Sequence, residues 1–205
     1  MDGGGHPRIR RYDSFKALAY LHPNRLVTRD VRAELGQADA PLFVIRTVAM
    51  AASHDHGESG IPPALLGRII ELLSSRGRVV VSCEGDIPAQ FAHLRSPLPP
   101  SDFHSLLATA DLVVGDSQTV ATEAALLGTP VVHVSSWSRR LSVLIELEDR
   151  WRLLESFRPD SPLIIEAIER LSVAGNKAEW LQRKHEMLAN KVDLTDWYLD
   201  LIDSL

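Results

Sequence analysis

Short apolar runs take turns with longer stretches of helical period along this chain. The runs 42–47, 78–83, 112–114 and 131–134 are dominated by Val, Leu and Ile. Runs of this length and make-up read as strands buried on both faces, the habit of parallel sheets. Between the first two, Leu66, Ile69, Ile70 and Leu73 fall on one helical face, with Pro62-Pro63 ahead of them and Gly77 behind, which predicts a helix from about 63 to 76. Further helices are expected over 27–36 (Thr28 as N-cap, Gly36 as C-cap), 88–94, 102–110, 139–149, 161–171, 177–190 and 194–205. A weak edge strand is expected at 151–154. Pro97, Pro99 and Pro100 forbid regular structure over 96–100. The alternation predicts an α/β doubly wound parallel sheet with C-terminal helices packed over it, in the order 3-2-1-4-5 with an extra edge strand.

The stretch from Leu112 to Val134 is the most complete unit. Gly115 allows a sharp turn after the strand, and Asp116 or Ser117 caps the helix that follows. Val120, Ala124 and Leu127 share its inner face, and Gly128 with Pro130 ends it before the next strand. This is a βαβ unit with an expected right-handed crossover. The free N–H groups and positive dipole end at the helix head suit a phosphate, provided the Asp116 carboxylate faces away or caps the helix. An ordinary capped βα turn without a ligand fits the pattern as well.

Composition narrows the setting. The 205 residues carry a net charge of −5 and are 45% apolar. The acidic balance, with a sequence pI near 5.9, disfavours a nucleic-acid partner. Cys83 is the single cysteine, so no internal disulfide forms. No apolar run reaches the length of a membrane span, and the polar, glycine-rich start does not read as a signal peptide. A cytoplasmic protein is expected. Residues 1–7 read as a disordered tail and 8–205 as one Rossmann-like domain. Segment 9–23 reads either as holding a short surface helix, 14–20, with its apolar face on the core, or as a connector that packs against something else, such as a missing partner domain.

The polar clusters all follow strands: Ser53 to Gly60 after the first, Glu84-Gly85-Asp86 after the second, Asp116 to Thr119 after the third and Ser135-Ser136-Trp137 after the fourth. In a parallel sheet these loops meet on one rim, where α/β folds bind ligands. His54, His56 and Glu58 have three readings: a zinc or manganese site with Asp55, a loop facing a sugar or phosphate, or a solvated loop. Glu123, nearly two turns into the helix, is placed to accept hydrogen bonds from a ribose, or is an ordinary helical Glu. Glu84 has the same two readings. Arg46, near the end of the first strand, is positioned to pair a carboxylate or phosphate. Cys83 reads as a core residue.

Gly115-Asp116-Ser117, Glu123-Ala124 and Leu127-Gly128-Thr129-Pro130 resemble the Asp-Ser-Gly-Gly-x-x-Glu-Glu…Leu-Gly-x-Pro stretch of UDP-N-acetylglucosamine 2-epimerases, and the nucleotide-sugar-binding halves of GT-B glycosyltransferases. His54 to Glu58 falls where those epimerases carry a His-Arg-x-Glu-Asn loop. The whole chain is similar to the C-terminal half of DUF354, a family found in archaea and bacteria. Tyr12-Asp13-Ser14-Phe15-Lys16, Tyr20-Leu21-His22-Pro23, the 54–60 loop, Ser82-Cys83-Glu84-Gly85, the 115–130 unit and Ser156-Phe157-Arg158-Pro159 carry that likeness. The resemblance implies a Rossmann-like fold of the GT-B C-terminal type that holds a nucleotide-sugar. It places Ser117 with Gln118 and Thr119 on the diphosphate, Glu123 on the ribose, and His54, His56 and Glu58 toward the sugar as the catalytic group. Family analogy calls for no metal or other cofactor. The sequence departs from the epimerase pattern in three places: Gln118 and Thr119 replace the two glycines, Thr122 the first Glu, and Asp55 the loop Arg. A GT-B active site lies between two domains, so a separate N-terminal domain or a homodimer is an expected partner. A non-catalytic binding or assembly module is the alternative.

Overall fold

The computed structural model describes residues 9–36, 39–48, 59–83 and 87–204. The expected 1–7 tail, and the candidate residues His54, His56, Glu58 and Glu84, lie outside them.

Five strands form one sheet: β1 (Leu42–Thr47), β2 (Arg78–Cys83), β3 (Leu112–Gly115), β4 (Val131–Val134) and β5 (Glu155–Phe157). Every pairing is parallel, and the order is β2-β1-β3-β4-β5. The expected order 3-2-1-4-5 is therefore corrected. It would leave β3 at an edge, whereas all four residues of β3 are buried and need neighbours on both sides. β2, half-buried at both ends, takes the edge instead. The reversal of strand order falls between β1 and β3.

Helices cover both faces. α2 (Pro63–Ser74) and α6 (Ile164–Leu171) pack together on one side. α3 (Phe103–Thr109), α4 (Gln118–Leu126) and α5 (Ser142–Asp149) line the other, and α1 (Leu18–Leu21) lies against α4 and α8 (Leu194–Asp203). α7 (Asn176–Ala189) inserts Trp180, whose indole N–H donates to the Leu153 carbonyl at 2.9 Å. Segment 14–20 follows the first of its two readings in part. Phe15, Ala17, Leu18 and Leu21 are buried, while Tyr20 is 44% exposed.

Two local expectations are corrected. The 27–36 stretch holds only a 3-10 turn, Ala33–Leu35, ended by Gly36 at φ +80°. Its N–H groups are taken by α3 side chains: Arg29 N–H donates to Ser105 Oγ at 3.3 Å and Val31 N–H to Thr109 Oγ1 at 3.4 Å. The Arg32 guanidinium grips the Asp111 carboxylate at 3.0 and 3.1 Å. The short helix expected over 88–94 is present as a 3-10 helix, Ala89–Leu94. The edge strand begins at Glu155 rather than in 151–154, because Arg152 turns the chain at φ +53°.

Register places one row of residues across the C-terminal end of the sheet: Ser82, Arg46, Gly115, His133 and Ser156. One step earlier the row reads Val81, Ile45, Val114 and Val132 in the first four strands. The apolar core stops at that step, and the rim begins.

Candidate functional site

The head of α4 sits on this rim. Ser117 caps it, with Oγ accepting from the Val120 N–H at 3.3 Å and its carbonyl from the Ala121 N–H at 2.9 Å. The N–H groups of Gln118 and Thr119 reach no acceptor among the described residues, as expected for the first turn of a helix. They point an anion-binding pair out of the sheet's carboxyl edge.

Asp116 stands one residue before the cap and is 5% exposed. Its carboxylate turns away from α4: Oδ1 accepts from the Val48 N–H at 2.9 Å and Oδ2 from the Ile61 N–H at 3.2 Å. The charge that could have repelled a phosphate is thus committed elsewhere. Burial raises the Asp116 pKa, and the two N–H donors and the Arg46 charge partly oppose that shift.

Glu123 is 7% exposed, on the second turn of α4. The Tyr20 hydroxyl donates to its Oε1 at 2.8 Å, and His104 Nε2 lies 3.5 Å from the same oxygen. Oε2 has no partner among the described residues. Burial, and then the hydrogen bond to Glu123, push the Tyr20 phenol up to about 12. It therefore stays a donor at neutral pH. Tyr20 and His104 were not legible as site residues. The only signal for Tyr20 was its place in the Tyr20-Leu21-His22-Pro23 likeness.

Beside His104, Phe103 helps enclose a cavity of about 430 Å³ with Arg46, Ser82, Arg95, Leu98 and Pro99. The Arg46 guanidinium donates to Ser82 Oγ at 3.0 Å and lies 5.8 Å over the Phe103 ring. Arg46 thus lines a cavity at the carboxyl ends of β1 and β2. On the far side of α4, Thr119 and Thr122 line a groove of about 490 Å³ with Phe15, Tyr20 and Val143. Thr122 is already engaged, its hydroxyl donating to the Gln118 carbonyl at 2.9 Å.

The structure therefore brings Ser117, Gln118, Thr119, Glu123 and Arg46 to one rim. The β4–α5 loop joins them: the Ser136 N–H donates to the Ser59 carbonyl and the Ser59 N–H to Ser136 Oγ, both at 2.9 Å. Among the described residues no cluster of three or more His, Cys, Asp or Glu could hold a metal, and no helix is long and apolar enough to cross a membrane.

The model of a family described as a protein of unknown function, DUF354, matches residues 1–192. No curated protein matches. Among solved structures, the chain is similar to the calicheamicin glycosyltransferase CalG4, with TM-score 0.52 and 22% identity over 80% of this chain and 43% of that one. A glycotransferase of kitacinnamycin gives TM-score 0.54 and 12% identity over 82% and 43%. A UDP-N-acetylglucosamine 2-epimerase from Listeria monocytogenes, named as such only provisionally, gives TM-score 0.51 and 19% identity over 83% and 47%. The chain spans less than half the length of each. At these identities the likeness concerns the fold, which is the Rossmann-like α/β fold of GT-B proteins.

Proposed function

As a member of the DUF354 family with a GT-B-type sheet, this chain is one for which we propose a role as the donor half of a nucleotide-sugar enzyme, a glycosyltransferase or a sugar 2-epimerase. One observation carries the reading. The unclaimed N–H groups and the open oxygen of Glu123 belong to one helix, α4, which starts at the strand-order reversal, and His104, in contact with Glu123, is next in sequence to Phe103, which lines the cavity at the ends of β1 and β2. The proposal puts a diphosphate on Ser117, Gln118 and Thr119, a ribose on Glu123 and a base toward Phe103. Arg46 would add charge at the same end. His54, His56 and Glu58 belong to the proposal as the groups that face the sugar, on the strength of the family resemblance alone.

The chemistry assigned to these residues is binding and orientation. Glu123, held by Tyr20, accepts a ribose hydroxyl without swinging, so little rotamer entropy is lost on binding. The helix head stabilises a leaving diphosphate by donors already in place. The second domain of a GT-B protein, from another chain or from a longer form of this one, would supply the acceptor side. The protein would act in the cytoplasm, where nucleotide-sugars are made.

Thermal unfolding against UDP, GDP, CDP, dTDP and ADP and their sugar conjugates tests the reading. A one-site ligand at 100 times its Kd stabilises by about 2.7 kcal/mol, a shift of several degrees. A shift with one nucleotide that Glu123→Ala removes supports the donor site. No shift with any, on folded protein, overturns it in favour of an assembly module.

A further inference from the structure

The strand order reverses between β1 and β3, which opens a crevice at their carboxyl ends. One side chain bridges it. Asp116, leaving β3, hydrogen-bonds through its two oxygens to Val48, leaving β1, and to Ile61, entering α2. Its own N–H donates to the Arg46 carbonyl at 3.2 Å, so main chain and side chain both lock across the gap. Gly60 is fitted to this arrangement: a Cβ there would lie 2.2 Å from Asp116 Oδ2. Next to it, Ser59 and Ser136 exchange two hydrogen bonds and tie the β4–α5 loop to the same point.

We propose that Asp116 is a positioning residue that joins the exit of β1 and the entrance of α2 to the head of α4, and so sets the floor on which an anion meets Gln118 and Thr119. Two features separate this role from ordinary packing. An N-terminal Asp usually serves its own helix by capping; here Ser117 caps and Asp116 reaches across two other elements. A buried carboxylate is also costly unless its oxygens are satisfied, and here both are satisfied by backbone N–H groups from opposite ends of one loop. In sequence that loop holds His54, His56 and Glu58. The inference about ligand binding rests on that proposed site; the clamp itself does not.

Amide hydrogen exchange and nucleotide binding together test it, on wild type, Asp116→Asn, Asp116→Ala and Gly60→Ala. Asn keeps one acceptor and turns an NH2 group toward the other donor; Gly60→Ala displaces the carboxylate with Asp116 still present. Val48 and Ile61 should lose protection together in all three, by tenfold or more, while Val113 in mid-sheet is unchanged. The nucleoside diphosphate that most stabilises wild type in the five-member panel should bind at least tenfold more weakly. Thr129→Val, which weakens the fold away from the rim, should leave that affinity intact. Protection retained at Val48 and Ile61, or lost at only one, overturns the clamp. Affinity unchanged in variants that have lost both protections overturns the positioning role. If wild type binds none of the panel, the donor reading falls, and exchange alone decides the clamp. If the Asp116 variants do not fold, Gly60→Ala decides both points.

Discussion

The phenolic oxygen of Tyr20 lies 2.8 Å from Oε1 of Glu123, across 103 residues of sequence. The bond fixes a carboxylate that would otherwise sweep several rotamers. Tyr20→Phe removes it while keeping the ring. A hydrogen bond to a charged group contributes about 1.5–3 kcal/mol when buried, and the partial exposure of Tyr20 places the stability loss near the lower end. On the proposed donor reading, affinity for the nucleoside diphosphate that stabilises wild type should fall severalfold, less than in Glu123→Ala. Calorimetric titration of both variants checks the ranking.

His133 sets the response to acid. It is fully buried on β4, with Ser156 Oγ 3.4 Å from Nδ1. Burial drives its pKa from 6.5 down to about 4, with the Asp116 main chain opposing slightly. The unfolded chain then binds a proton that the folded one refuses, so stability is complete above pH 6.5 and is lost as pH falls toward 4, by roughly 3 kcal/mol. The raised Asp116 carboxyl works the other way: the folded state takes up its proton first, which favours folding as acid is added. Melting temperature between pH 7.5 and 4.5 should fall in wild type and flatten in His133→Leu.

Thr129 is inaccessible to solvent, and its hydroxyl donates to the Leu107 carbonyl at 2.7 Å. That carbonyl cannot take the usual helical partner, because the Asp111 N–H goes to the Leu42 carbonyl at 2.7 Å. Thr129→Val keeps the shape and strands the carbonyl, which costs about 1–3 kcal/mol. Urea denaturation should show a lower midpoint with an unchanged slope.

Gly115 lies in the central row of the sheet, where an added Cβ would come within 2.5 Å of the Arg46 carbonyl. The obstacle is backbone in a strand paired on both sides and cannot yield cheaply. Gly115→Ala should cost at least about 2 kcal/mol and weaken nucleotide binding by displacing Asp116 and Ser117. Gly67→Ala, inside α2 with nothing within 4 Å of its Cβ, is the control: it should gain roughly 0.5–1 kcal/mol of helix stability and leave binding unchanged.

What the sequence made legible was local. The 112–134 unit carried its own punctuation: Ser117 caps α4, and Gly128 ends it at φ +81°. Ser117, Gln118, Thr119, Glu123 and Arg46 could be placed on a rim because strand followed by polar loop is a short-range pattern. The 27–36 stretch misled because its apparent caps are local, while the groups that claim its N–H donors sit on α3, more than 70 residues away. Asp116 looked like a charge in the wrong place because its partners, Val48 and Ile61, precede it by 55 residues or more. Strand order likewise depends on which strands can tolerate an edge, which is a property of the whole sheet.

The packing of the first segment on the last also bears on when the site can exist during synthesis. Ser14 Oγ donates to the Val192 carbonyl, and Thr195 Oγ1 to the Ala19 carbonyl at 2.7 Å. Tyr20 therefore rests on residues made some 175 positions later. On a ribosome, the sheet and α4 can emerge and pair while Glu123 still lacks its tether. Contacts of such long sequence separation form late and slow folding. The nascent chain would settle the Tyr20 tether on Glu123 only after α8 has cleared the exit tunnel.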